Sequence, residues 1–266
     1  MDYKVELKPR YSSESDFPYN PFLIDLFNQG KQDYISQIEA MLGFNEELQY
    51  ITLNKIDEEN PYWLNGFFPG LDVIALYSLI RQFKPKTYLE IGSGNSTKIA
   101  AKAIREGNQN TQIISIDPFP RTEIDHLADV VKREPVENLN YTNPIFQSLK
   151  KGDILFIDSS HRILPNSDCS FIYNELIPSL PSGIIIHIHD IYLPFDYPQF
   201  MCDRLYNENQ VLATYLLSNP DYFKILLPNY FCYRELKFEE ILSPIFKTPM
   251  MTKVEKHGGS IWLLKN

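Results

Sequence analysis

The chain has 266 residues, a formal charge of −9, and 44% hydrophobic and 14% aromatic residues. This composition can bury a real core, so disorder is not the default. The 25 basic residues are scattered, which argues against a nucleic-acid partner, and no stretch approaches membrane-spanning length. Cys169, Cys202 and Cys232 are odd in number and widely spaced, so they read as reduced thiols of a soluble, cytoplasmic protein.

Residues 1–20 are polar with two prolines and are expected to run irregularly. Phe22–Phe27 and Tyr34–Leu42 carry apolar residues at helical spacing. They precede the α/β pattern, so 1–65 is read as an N-terminal helical cap and 66–266 as the main domain. Pro61–Asp72 is rich in aromatics, glycine and proline and leads into a helix ending near Phe83. Trp63, Phe67 and Phe68 there suit either hinge packing or contact with an adenine or a sulfonium.

Thr87–Thr97 reads TYLEIGSGNST: an apolar strand, a glycine turn, and good N-cap residues before a helix through Glu106. The third glycine of a dinucleotide fingerprint would fall at Thr97, so that fingerprint is incomplete. Glu90 would repel a phosphate but could hold an ammonium group. The strand Gln112–Ile116 ends in Asp117, an acid suited to both hydroxyls of a ribose. Two acids around a glycine turn suit S-adenosylmethionine.

With these residues the chain resembles the class I S-adenosylmethionine-dependent methyltransferases. E-I-G-S-G-N-S-T is similar to their first motif and I-S-I-D-P to their second. The runs F-F-P-G-L-D, G-D-I-L-F-I-D-S-S-H and H-I-H-D-I-Y-L-P-F-D-Y-P resemble a bacterial branch acting on sugars or other small hydroxylated molecules. The resemblance implies a Rossmann-like, doubly wound α/β sheet of seven strands in the order 3-2-1-4-5-7-6, the last strand antiparallel. It implies a cofactor site at Glu90, Gly92, Ser93, Gly94, Asn95, Ser96, Asp117, Pro118 and Asp158.

Further along, Pro118 to Arg121 make a rigid exit, and Asp129–Arg133 is read as the third strand. Asp153–Ile157, Gly183–Ile188, Tyr222–Leu227 and Ser260–Leu264 are the remaining strands, and Phe171–Leu180 is helical. In the resembled order strands four and five are neighbours, so Asp158 and His161 would face His189 and Asp190 across the rim. A hydroxyl acceptor needs a base. His161 would act directly, with Asp158 and His189 beside it, or Asp158 and Asp190 would hold a divalent cation, as in catechol O-methyltransferase. His187 lies inside its strand and reads as a hydrogen-bonded core residue. Tyr192–Pro198 would form one wall of an acceptor pocket, and Phe231–Lys256 is long enough for a lid.

The expectation is an O-methyltransferase with a small, carbohydrate-like acceptor and no nucleic-acid or membrane partner, with homo-oligomerisation left open by the sequence. The rival readings are a cephalosporin hydroxylase-like metal enzyme on the same sheet and a non-catalytic S-adenosylmethionine-binding protein.

Overall fold

The structure is a computed structural model that describes residues 5–120 and 122–266. The first four residues and Arg121, which the sequence reading placed in irregular segments, lie outside the described residues. Seven strands form one sheet in the order β3-β2-β1-β4-β5-β7-β6, as expected from the motifs. They are β1 (Thr87–Ile91), β2 (Gln112–Ile116), β3 (Val130–Lys132), β4 (Ile154–Ile157), β5 (Ile185–His189), β6 (Phe223–Pro228) and β7 (Ser260–Lys265). The first five are parallel. Strand β7 inserts antiparallel between β5 and β6.

The central strands are buried along their whole length, and in β4 all four residues (Ile154, Leu155, Phe156, Ile157) are fully enclosed. Helices on both faces force that pattern, because neither side of the sheet meets water. Strand β3 is shorter than expected, and just before it the Asp129 carboxylate accepts from the Ile113 N–H.

The Gly70–Phe83 helix packs on the Asn95–Glu106 helix and on the Lys31–Met41 helix. Its first turn is held from outside. The Gly70 and Leu71 N–H groups donate to the carbonyls of Glu255 and His257, at 2.7 and 3.2 Å. Those donors have no partner inside a helix and need one elsewhere. A Cβ on Gly70 would lie 2.9 Å from the Glu255 oxygen, so glycine permits the contact.

Pro21–Gln29 and Lys31–Met41 are helical as expected, and they bury Phe27, Tyr34 and Ile38 in the same core as the sheet. Upstream of them the chain is irregular but tethered. Arg10 and Tyr11 donate their N–H groups to the Asp196 carboxylate, and Asn20 N–H donates to the Pro194 carbonyl. The region expected to form a lid is instead packed. Asn229–Glu235, Phe238–Ile241, Ser243–Phe246 and Pro249–Lys253 are short helices that bury Phe231, Phe238, Phe246 and Met251. The helix that begins at Asp168 runs through Ser179 with a π-helical middle at Ile172–Leu176. All three cysteines are free.

Candidate active site

The carboxyl ends of β1, β2, β4 and β5 form the rim where ligands of an open parallel sheet bind. After β1 the chain bends at Gly92, whose φ of 82° belongs to the left-handed region. A Cβ there would come within 2.0 Å of the Asp158 carbonyl oxygen. Glycine therefore lets the ends of β1 and β4 close against each other, and the Asp158 N–H donates to the Ile91 carbonyl at 2.8 Å. The following helix starts at Asn95 rather than being capped by it. Thr97, three residues into the bend, accepts from the Gly94 N–H at 3.0 Å.

Asp117 at the end of β2 ties this bend down. One of its oxygens accepts from the Ser93 N–H at 2.8 Å and the other from the Phe119 N–H at 2.8 Å. A cavity of about 290 Å³ opens beside it. Gly92, Ser93, Asp117, Pro118 and Asp158 line it, together with Asp168 from the helix after β4. Gly94, Asn95 and Ser96 line a small adjoining cleft with Ser93, Asp158, Phe67 and Phe68. Of the residues expected to face a cofactor, Glu90 lines neither. Its carboxyl group is buried beneath the bend, where it accepts from the hydroxyls of Thr97, Ser96 and Tyr88. Burial raises its pKa from 4.5 to about 8, against the lowering by those hydroxyls.

The ends of β4 and β5 bring four of the expected residues together. Nε2 of His161 lies 3.3 Å from Asp158 and 3.4 Å from Asp190. Its Nδ1 lies 2.9 Å from Glu208. Nδ1 of His189 lies 3.6 Å from Asp158 and 3.7 Å from Asp190, beyond hydrogen-bond length, and Nε2 lies 3.7 Å from Asp72. Both nitrogens of His189 are thus buried without a hydrogen-bond partner among the described residues. The ring stacks on Phe68 with centroids 4.7 Å apart. His161 and Asp190 both adopt left-handed φ angles, 59° and 52°. Such backbone strain in non-glycine residues gathers at functional sites.

Charge follows from the geometry. Burial alone would lower the histidines, but Asp158 and Glu208 raise His161 well above its ordinary value, and Asp190 and Asp158 raise His189 to about 9. Burial would raise Asp158, yet the two imidazoliums hold it well below the carboxylate range. Burial dominates at Asp190, which is raised. Each nitrogen of His161 thus faces a carboxylate, which favours its protonated form and works against the direct-base role expected from the sequence. Asp158, His189 and Asp190 each place a ligand atom within 4.8 Å of the others.

His187 departs from expectation in another way. It is buried in β5, as expected, but neither ring nitrogen has a hydrogen-bond partner among the described residues. It stacks instead on Trp262 of β7, its register partner, at 3.9 Å, and burial depresses its pKa well below 6.5.

A second cavity, about 490 Å³, lies on the other side of the cluster. Asp190, Trp63, Phe67, Phe68, Tyr192 and Met201 are among its walls. The aromatics before the Gly70–Phe83 helix therefore border this cavity and not the one beside Asp117, whereas Asp158 borders the latter. Tyr192 of the expected aromatic loop is on the wall, and Tyr197 packs behind it.

Residues 89–191 match the family model described as a methyltransferase domain. The segment holds the glycine bend, Asp117, and the whole Asp158, His161, His189 and Asp190 cluster. Over this stretch the chain is similar to a methyltransferase domain. The methyltransferase match ends just after β5, so Asp72, Glu208 and most walls of the second cavity come from outside it. Among solved structures, an O-methyltransferase from Bacillus cereus in complex with SAH is 13% identical, with a TM-score of 0.42 over 87% of this chain and 91% of that one. The plantazolicin methyltransferase BpumL, also in complex with SAH, is 12% identical, with a TM-score of 0.39 over 93% of this chain and 91% of that one. No curated protein matches the chain.

Sequence reasoning missed three acids of the candidate site. Asp72 accepts from Asn229, Ser260 and the Gly259 N–H, and it stands behind His189. Asp168 accepts from both the N–H and the hydroxyl of Ser160, at 2.6 Å each. Glu208 is fully buried against His161. Its neighbours complete a clamp. Asn207 accepts from the Ile163 N–H beyond β4, and Asn209 accepts from the Tyr192 N–H beyond β5.

Proposed function

We propose that the protein transfers a methyl group from S-adenosylmethionine to a hydroxyl of a small, ring-bearing acceptor. The observation that carries this reading is the placement of two separate cavities on either side of one carboxylate and imidazole cluster, with Asp158 bordering the first and Asp190 the second. The first cavity suits the donor. Asp117 keeps lone pairs for ribose hydroxyls after accepting from Ser93 and Phe119, and the glycine bend lets backbone approach the ligand. The second suits the acceptor, whose ring would lie between Trp63, Phe68 and Tyr192.

The chain's own contribution is positioning and exclusion of water, since methyl transfer disperses a sulfonium charge instead of creating a new one. Asp190, the member of the cluster that borders the second cavity, is the carboxylate that would receive the proton of the acceptor hydroxyl. Asp158, Asp190 and His189 fit a divalent cation. His189 offers buried nitrogens with no partner, and two carboxylates with one imidazole make a hard, oxygen-rich set. Such an ion would lower the pKa of the acceptor hydroxyl.

Calorimetric titration with S-adenosylmethionine tests the reading. The wild-type protein is expected to bind it, and Asp117→Ala to weaken it by roughly 10- to 100-fold through loss of charge-assisted hydrogen bonds. Absence of binding, with tight binding of a nicotinamide dinucleotide instead, would overturn the reading. Consumption of oxygen and iron dependence during turnover would favour the hydroxylase alternative.

A further inference from the structure

We infer that the acceptor is an anion: a hydroxylated ring compound carrying a carboxylate or comparable acidic group, gripped by Arg204 and Lys253 at the mouth of the second cavity. This rests on the assignment of that cavity to the acceptor. Its inner walls are aromatic, from Trp63, Phe68 and Tyr192, and its floor carries Asp190. Flat apolar walls suit the face of a ring, and the floor suits a hydroxyl. The mouth adds a different chemistry. Arg204 and Lys253 both line it, both are exposed, and neither forms an ion pair among the described residues. In a chain of net charge −9, these two cations, converging on one cavity from segments about fifty residues apart in sequence, match Asp190 and Glu255 in the same lining, so the cavity does not share the chain's excess of acids.

Both cations are presented by fixed backbone. Arg204 follows the short helix Gln199–Cys202, and its turn is closed by N–H donation from Arg204 and Tyr206 to the Met201 carbonyl and from Leu205 to Cys202. Leu205 pays for that turn with a left-handed φ of 64°, although its side chain is exposed and gains no packing. The guanidinium lies over the Phe200 ring, 5.6 Å from its centroid, which orients it. Tyr206, at the end of the same turn, packs on His161 at 4.6 Å. One turn therefore joins the mouth of the cavity to the cluster at its floor. Lys253 ends a short helix whose continuation is bonded to the first turn of the Gly70–Phe83 helix. Glu255 also lines the mouth. It opposes an anion from one side, so the grip falls on the Arg204 and Lys253 side, where guanidinium geometry favours a carboxylate.

Calorimetry without any methyl donor tests this. Para-hydroxybenzoate is compared with para-hydroxybenzyl alcohol, and glucuronate with glucose, on the wild-type protein and on an Arg204→Gln, Lys253→Gln double variant of unchanged melting temperature. In at least one pair the anion is expected to bind about tenfold tighter than its neutral parent, with a preference that falls in salt and disappears in the double variant. Which pair shows it tells an aromatic acid from a sugar acid. Equal binding within both pairs, no binding of either anion, or a preference that survives in the double variant would overturn the inference. Since the donor is absent, failure here is separable from failure of the S-adenosylmethionine titration.

Discussion

Glu90 offers the sharpest test of how the glycine bend is built. Its carboxyl group is enclosed under the bend, and its pKa is raised from 4.5 to about 8. Between those values the native protein keeps a proton that the unfolded chain has released, so this residue makes stability fall as pH rises through that window. The full effect is on the order of 4–5 kcal/mol above about pH 8. Glutamine has the same shape and no proton to lose, and the hydroxyls of Ser96, Thr97 and Tyr88 can reorient to meet it. Urea denaturation of Glu90→Gln against the wild-type protein is therefore expected to show near-equal stability at about pH 5 and an advantage of several kcal/mol for the variant at about pH 9. S-adenosylmethionine affinity is expected to hold within about threefold, because the carboxyl group faces hydroxyls and not the cavity. A stability difference that stays flat with pH would refute the buried, protonated assignment. A large loss of donor affinity would show that Glu90 reaches the ligand after all.

Manganese titration is expected to show one bound cation on the wild-type protein, lost in Asp158→Asn and in Asp190→Asn, with activity falling in excess chelator; undiminished binding in either variant would exclude the proposed ligand set. Gly92→Ala should cost about 2–4 kcal/mol in denaturant unfolding, from the left-handed φ and the clash with the Asp158 carbonyl together. A cost under about 0.5 kcal/mol would mean that the rim relaxes freely. His187→Phe should shift stability by about 1 kcal/mol or less and leave cation binding intact, since stacking on Trp262 is retained and two unpartnered nitrogens are removed. His189→Phe, by contrast, should abolish the cation's calorimetric signal.

The sheet was legible because its strands are short apolar runs ending in marked residues, and strand ends are where an α/β sheet concentrates chemistry. Asp117, Asp158, His189 and Asp190 were found that way. Their companions were not, for a physical reason. Glu208 opens the helix Glu208–Ser218 and looks like an ordinary acid complementing a helix dipole. Only the return of the chain across the rim brings it to His161. Asp72 likewise opens a helix, and its partners Asn229 and Ser260 lie more than 150 residues away. Glu90 shows the opposite case. Its position at a strand end suggested a ligand contact, but strand alternation turns it under the bend, where only burial reveals its state. The segment read as long enough for a lid is a run of short helices that Phe231, Phe238 and Phe246 anchor in the core, while its end at Lys253, Val254 and Glu255 borders the second cavity.

The tether between the irregular N-terminal run and Asp196 has a practical side. Arg10, Tyr11 and Asn20 grip the loop that carries Tyr192 and Tyr197, so a bulky fusion upstream would tug on one half of the pocket system and spare the other. On the proposed assignment of the two cavities, a purification handle placed there is expected to weaken acceptor binding while donor binding goes on as before.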